Sequence, residues 1–122
     1  MDLVGHAVLL LEDDFCQARD TQQALQHAGA NVMGPFADSA SALDSIAARD
    51  PSCAILDVRL SDGIRFGVAA ALMDKGVPIL FLTGLDPGVI PEKFAGVPVV
   101  QKPVDYRTLV NLAARMLPKR GS

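Results

Sequence analysis

Short apolar runs alternate with stretches of helical periodicity along this chain, and four of the runs end in polar or charged residues. Apolar runs of this length between helical patterns are typical of buried parallel strands. The carboxyl ends of such strands lie at one edge of an open sheet, where ligands bind. The pattern therefore predicts one site that combines carboxylates, a hydroxyl group and an ammonium group. The residues that end the runs are Glu12-Asp13-Asp14, Asp57, Thr83 and Lys102.

The apolar runs and the residues between them predict five alternating strand and helix units. The strands are expected at 7–11, 31–36, 53–58, 77–83 and 97–101. Helices of this length between parallel strands give right-handed crossovers. We therefore predict an α/β fold, a flavodoxin-like doubly wound five-stranded parallel sheet with the strand order 2-1-3-4-5. In that order the acids of the first strand lie beside Asp57 of the third.

Capping and helix-breaking residues limit the predicted helices. The first covers 15–28 and is stopped by Gly29, and the second is capped by Ser39 or Ser41 and ended by Asp50-Pro51. A turn at Ser61-Asp62-Gly63 precedes a third helix that contains 68–73 and ends near Gly76, and a final helix follows Pro103-Val104-Asp105. Glycine and proline after Thr83 leave room for only a short helix around 92–95, so the fourth helix is shortened or irregular.

Each of three predicted helices has an apolar stripe that would face the sheet. The stripes are Ala18, Ala24, Leu25 and Ala28; Ala42, Leu43, Ile46 and Ala47; and Leu109, Leu112, Ala113 and Met116.

Composition narrows the class of protein. The 122 residues are half apolar and one-fifth charged, with a net charge of −3, which predicts a single domain over 1–122 and argues against a nucleic-acid partner. No apolar stretch is long enough to cross a membrane, and no basic segment resembles a secretory signal. Cys16 and Cys53 are too few and too far apart for a metal motif or a disulfide framework. We expect a cytoplasmic protein with reduced cysteines.

The predicted site suits phosphoryl chemistry. A carboxylate such as Asp57 can accept a phosphoryl group covalently, but both groups are negative and need counter-charge. A Mg²⁺ ion supplies that charge, and it is typically held by one or two carboxylates together with phosphate oxygens and water. Glu12 and Asp13 are placed to hold the ion together with Asp57. Lys102 would neutralise another phosphoryl oxygen as a point charge, and Thr83 would donate a hydrogen bond to a third.

Together these motifs resemble the receiver domain of two-component response regulators over essentially the whole chain. The resemblance is carried by the acidic pair after the first strand, Asp57 with the turn that follows it, Thr83 before a small residue, and Lys102-Pro103. The spacing from Asp13 to Asp57 is also typical of the family.

The resemblance implies a role for each of these residues. Asp57 is the phosphoacceptor, Thr83 binds the phosphoryl group and moves with it, and Lys102 pairs with it. Glu12, Asp13, Asp57 and the backbone carbonyl of Arg59 are the implied Mg²⁺ ligands, so Asp14 falls outside the pair. The bond between Lys102 and Pro103 is expected to be cis. The family catalyses only its own phosphorylation and dephosphorylation, so we do not expect an enzyme acting on other substrates.

The chain departs from the usual receiver pattern in several places. Val99 stands where most receivers carry the Tyr or Phe that swings inward after phosphorylation, and Tyr106 is too far along to replace it. Thr83 and Lys102 are 19 positions apart, a little closer than usual. Phe81-Leu82-Thr83-Gly84 partly matches the atypical receiver group nicknamed FAT GUY, although Leu85 and Asp86 replace its later residues. Arg59 directs a cation toward the site entrance, where we expect it to influence the phosphoryl lifetime.

These residues favour a stand-alone receiver without an output domain, since only 118–122 follow the last helix. His6 and His27 are expected to be solvated and not to donate phosphate, so the donor is a sensor histidine kinase or a phosphotransfer protein. Output would pass through an unknown protein partner, or the receiver would act as a phosphate shuttle or sink.

Two alternatives come from other classes. A constitutive interaction module with the receiver fold is slightly favoured by Val99 and by the missing fourth helix. The intact Asp57, Thr83 and Lys102 weigh more heavily against it. A phosphatase of the haloacid dehalogenase type requires an Asp where this chain has Arg59, and a cap for which there is no room. We therefore reject it.

Overall fold

The computed structural model describes residues 2–117. The strands are β1 (Ala7–Leu11), β2 (Asn31–Phe36), β3 (Cys53–Asp57), β4 (Arg59–Leu60), β5 (Gly63–Ile64), β6 (Ile79–Thr83) and β7 (Val99–Gln101). The helices are α1 (Phe15–His27), α2 (Ser39–Ala48), α3 (Gly67–Asp74) and α4 (Tyr106–Met116), with 3-10 turns at Pro87–Val89 and Glu92–Phe94. The predicted tail at 118–122 lies outside the described residues.

Five strands form one parallel sheet in the order β2-β1-β3-β6-β7. The two short strands β4 and β5 form a separate antiparallel hairpin directly after β3. When the two hairpin strands are not counted, the order of the sheet is the predicted 2-1-3-4-5, so the flavodoxin-like fold is confirmed. The order places β1 beside β3 and thereby brings their carboxyl ends together.

Helices cover both faces of the sheet, which explains the continuous apolar runs. Every residue of β1, β3 and β6 is buried. Within β1, Val8 and Leu10 pack with residues of α1 and α4, whereas Leu9 and Leu11 pack with residues of α2 and α3. The three central strands therefore form a rigid support for residues at their ends.

Helix capping differs from the prediction at α2. Its N-cap is Asp38, whose carboxylate accepts a hydrogen bond from the Ser41 amide at 2.8 Å, so Ser39 and Ser41 are not the cap. A carboxylate placed before the first turn satisfies an otherwise unpaired amide. The apolar stripe of α2 is also narrower than predicted, because Ala42 and Ile46 are buried while Leu43 and Ala47 are exposed.

Three strands are shorter than predicted. β3 ends at Asp57, because Val58 leads into the hairpin. β6 and β7 begin two residues late, because the amides of Val77 and Val97 donate to the carbonyls of Leu72 and Phe94 and so close the preceding turns. The helix predicted over 15–28 ends at His27, with Ala28 as its C-cap.

Two 3-10 turns replace a regular helix between β6 and β7, as the glycine and proline content predicts. Phe94 anchors this segment because it is 2% exposed and packs against Phe66 and Phe81, with ring centroids 5.7 and 5.6 Å away. No helix within residues 2–117 has the length and apolarity needed to cross a membrane.

Candidate functional site

The predicted polar residues gather at the carboxyl edge of the sheet. Register pairs Leu11 with Leu56, Asp57 with Leu82, and Thr83 with Gln101, so the strand ends lie side by side. A cavity of about 490 Å³ opens there. Its lining includes Glu12, Asp13, Asp57, Arg59, Ser61 and Lys102.

Lys102 joins two buried carboxylates at the floor of this cavity. Its Nζ atom donates to Asp57 Oδ2 at 2.7 Å and to Glu12 Oε1 at 3.0 Å. Asp57 is 4% exposed and Glu12 2% exposed, so both carboxylates are largely removed from water. One ammonium group faces two carboxylates, and Asp13 adds a third nearby. The site is therefore poised to receive further positive charge.

Electrostatics within this group change two pKa values. Burial raises the pKa of Glu12 to about 7, and the neighbouring Asp57 adds to the increase while Lys102 opposes it. For Lys102 burial lowers the pKa, but hydrogen bonds to Asp57 and Glu12 outweigh burial and the net change is an increase. Lys102 therefore stays charged, whereas Glu12 holds its charge weakly without another cation.

Three carboxylates can converge on one cation. Glu12, Asp13 and Asp57 each present an oxygen, and these oxygens lie within 4.8 Å of one another. Hard oxygen donors with surplus negative charge suit Mg²⁺, so the residues fit the ion that the family implies. Asp14 has a different role, because it caps α1 by accepting a hydrogen bond from the Gln17 amide at 2.9 Å.

Arg59 contacts Asp57 through its backbone. The Arg59 amide donates to Asp57 Oδ1 at 3.0 Å, which leaves Oδ2 to Lys102. The side chain of Arg59 is exposed and borders the cavity, as predicted for the site entrance. The role of the Arg59 carbonyl oxygen as a ligand of the metal ion stays a prediction.

Thr83 lies at the end of β6, 1% exposed, and is not among the cavity-lining residues. Its Oγ1 atom accepts a hydrogen bond from the Leu85 amide at 2.9 Å, while its carbonyl accepts one from the Lys102 amide. The hydroxyl proton is still available for donation. Thr83 thus connects the loop after β6 to the strand that carries Lys102.

Two further details of the family pattern lie at and near β7. The bond between Lys102 and Pro103 is cis, as expected, and Gly34-Pro35 is also cis. Val99 is partly buried and packs in the same apolar cluster as Phe81 and Phe94.

Other predictions concern residues outside the site. Cys16 is exposed and Cys53 buried, and both are free. His27 is exposed as expected, but His6 is partly buried, and its backbone is held on both sides. Its amide donates to the Leu3 carbonyl, and its carbonyl accepts from the Asn31 amide at the start of β2.

Sequence reasoning missed one polar contact of the site. Ser61 donates from Oγ to Asp13 Oδ2 at 2.6 Å, although 48 positions separate the two residues. The Ser61-Asp62-Gly63 turn was predicted, but no sequence pattern indicated which side chain its serine would contact.

Comparison with known proteins places the fold among signalling domains. No protein-family model and no curated protein matches the chain. The BeF3-activated conformation of SdrG from Pseudomonas melonis Fr1 is 30% identical, with a TM-score of 0.74, covering 91% of this chain and 96% of that one. A putative response regulator from Chloroflexus aurantiacus is 27% identical, with a TM-score of 0.81, covering 93% of this chain and 98% of that one.

A longer protein shares the fold as well. The response regulator PhyR from Brucella abortus is 24% identical, with a TM-score of 0.79 over 94% of this chain. The chain spans 49% of that protein's length. The sheet order, the polar residues at its edge and these neighbours agree, and the chain belongs to the receiver domains of response regulators.

Proposed function

We propose that this receiver accepts a phosphoryl group on Asp57 from a phosphohistidine donor, with Mg²⁺ as its cofactor, in the cytoplasm. The observation that carries the proposal is the 2.7 Å contact between Lys102 Nζ and Asp57 Oδ2. It supports the proposal because it holds a fixed cation beside a nearly buried carboxylate, at the point where a phosphoryl oxygen would gain negative charge.

Transfer to Asp57 requires no other nucleophile. A carboxylate oxygen of Asp57 attacks phosphorus while the P–N bond to the donor imidazole breaks, and the electron pair of that bond leaves with the imidazole nitrogen. Lys102 then pairs with a phosphoryl oxygen, and the Arg59 amide keeps the acceptor side chain oriented. The Thr83 hydroxyl donates a hydrogen bond to another phosphoryl oxygen once its loop moves.

Glu12, Asp13, Asp57 and the Arg59 carbonyl would hold the metal ion. When bound, Mg²⁺ supplies positive charge for the phosphoryl oxygens. The crowding of three carboxylate oxygens within 4.8 Å supports this assignment.

Signalling would follow from a shift between two arrangements of the loop after Thr83. A sensor histidine kinase or a phosphotransfer protein is the proposed donor, and a protein partner or phosphate shuttling is the proposed output. The chain catalyses only its own phosphorylation and dephosphorylation. The alternative is a constitutive interaction module, which Val99 favours because an aromatic switch is missing at that position.

Phosphoramidate tests this proposal, because its P–N bond reproduces the bond broken in phosphohistidine. The protein is incubated with phosphoramidate in Mg²⁺ or in EDTA, and its intact mass is measured. We expect a single phosphoryl adduct in Mg²⁺ and almost none in EDTA. Absence of an adduct in both samples would favour the constitutive module.

A further inference from the structure

A short hairpin follows the acceptor strand, and its turn contacts the loop after β1. The turn places Ser61 between β4 and β5, where Ser61 Oγ donates to Asp13 Oδ2 at 2.6 Å. A hydroxyl that donates to an ionised carboxylate at this distance makes a short, charge-assisted hydrogen bond. The contact therefore joins the acceptor side of the site to its metal-binding side.

The hairpin has its own supports, which fix the position of Ser61. Leu60 is 4% exposed and packs in the apolar core, which secures one strand of the hairpin. Arg65 holds the turn from the other side, because its Nη2 atom donates to the Asp62 carbonyl at 3.1 Å and its Nε atom lies 3.5 Å from Asp62 Oδ2. Ser61 is thus presented to Asp13 by a braced turn.

Asp13 differs from the other two carboxylates of the site in how it is held. Glu12 and Asp57 both accept hydrogen bonds from Lys102, and Asp57 also accepts one from the Arg59 amide. For Asp13, the hydrogen bond from Ser61 is the only one to its carboxylate within the described part of the chain. Without that bond, the Asp13 side chain would rotate more freely.

We propose that Ser61 is a positioning residue for the Mg²⁺ site. This inference rests on the function proposed above. Its hydroxyl holds Asp13 Oδ2 and so limits the rotation of a carboxylate that would take part in binding the cation. Hydrogen bonds to ligating carboxylates orient the ligand, and their loss typically weakens metal affinity by about 10- to 100-fold. Because Asp13 is one of three carboxylates and Ser61 is exposed, we expect the low end of that range.

Calorimetric titration of the metal-free protein with MgCl2 tests this inference. The variants are Ser61→Ala, Ser61→Thr, which keeps the hydroxyl, and Ser45→Ala, a serine in α2 outside the cavity lining. We expect Ser61→Ala to weaken Mg²⁺ binding on the order of tenfold, while Ser61→Thr and Ser45→Ala stay near the parent affinity. Urea denaturation of the same variants measures their stability separately.

Each outcome has a distinct meaning. An unchanged or tighter Mg²⁺ affinity for Ser61→Ala overturns the positioning role, and tighter binding would show that Ser61 competes with the ion. Lower stability with unchanged affinity assigns Ser61 a purely structural role and also overturns the inference. If the parent protein does not bind Mg²⁺, both the proposed metal site and the role of Ser61 are refuted. Parent binding without an effect of Ser61→Ala refutes the inference alone.

Discussion

Lys102 Nζ lies 2.7 Å from Asp57 Oδ2 and 3.0 Å from Glu12 Oε1, so a single ammonium group bridges two buried carboxylates at the ends of adjacent strands. The Lys102 ammonium group thus supplies positive charge at the point where the proposed Mg²⁺ ion would also supply it. If the site binds Mg²⁺ as proposed, Lys102 would compete with the ion for these carboxylates.

Removal of this charge should favour the metal ion. We predict that Lys102→Gln increases Mg²⁺ affinity on the order of tenfold, because the variant has one fewer positive charge beside the same carboxylates. Calorimetric titration measures the change. Lys75→Gln is the matched control, since Lys75 pairs with Asp50 on the surface. Equal affinities for Lys102→Gln and the parent would show that Lys102 does not compete with the ion.

The raised pKa of Glu12 predicts a pH-dependent stability. Its folded value of about 7 exceeds the ordinary 4.5, so the folded protein binds this proton more tightly than the unfolded chain. The contribution of Glu12 is thus fully present below pH 4.5 and is lost as the pH rises from there through about 7. We expect that loss to be about 1–2 kcal/mol, because the ammonium group of Lys102 still favours the ionised form of Glu12 and so offsets part of the cost of burial.

Glu12→Gln isolates this contribution. Urea denaturation in EDTA at pH 5 and pH 8 should give a smaller pH-dependent loss for Glu12→Gln than for the parent, with Glu92→Gln as an exposed control. The same pH dependence in Glu12→Gln and the parent would contradict the assignment.

Phe94 should stabilise the segment that replaces a regular helix. Phe94→Ala leaves a cavity beside the contacting rings of Phe66 and Phe81, and we predict a loss of about 3–4 kcal/mol in the free energy of unfolding. Phe15→Ala should change stability by less than about 0.5 kcal/mol, because Phe15 is 77% exposed. Urea denaturation compares the two, and similar losses would refute the anchoring role.

The two cysteines should differ in reactivity. Burial raises the pKa of Cys53 to about 12, so its thiol is both inaccessible and protonated, whereas Cys16 is exposed. We predict that an aromatic disulfide reagent labels Cys16 alone in the folded protein and both residues in urea. Rapid labelling of folded Cys16→Ser at Cys53 would show that the core opens readily.

Much of this organisation follows from the sequence, because strands buried on both faces leave continuous apolar runs. Those runs predict β1, β3 and β6. Because the carboxyl ends of parallel strands lie at one edge of the sheet, the residues at these ends are also predicted to lie close together. Local polar contacts were harder to predict. Asp38 and Ser41 are both suitable caps, and only backbone geometry selects Asp38. The Ser61 contact with Asp13 joins two distant loops, so neither propensity nor periodicity indicates it.

The central claim is that Asp57 is the phosphoacceptor, and the most direct measurement locates the phosphoryl group itself. The parent, Asp57→Asn and the matched control Asp62→Asn are incubated with acetyl phosphate and Mg²⁺, and their intact masses are compared. Asp62 is exposed in the hairpin turn close to the site. We predict a single phosphoryl adduct on the parent and on Asp62→Asn and none on Asp57→Asn. An adduct that persists in Asp57→Asn would contradict the account.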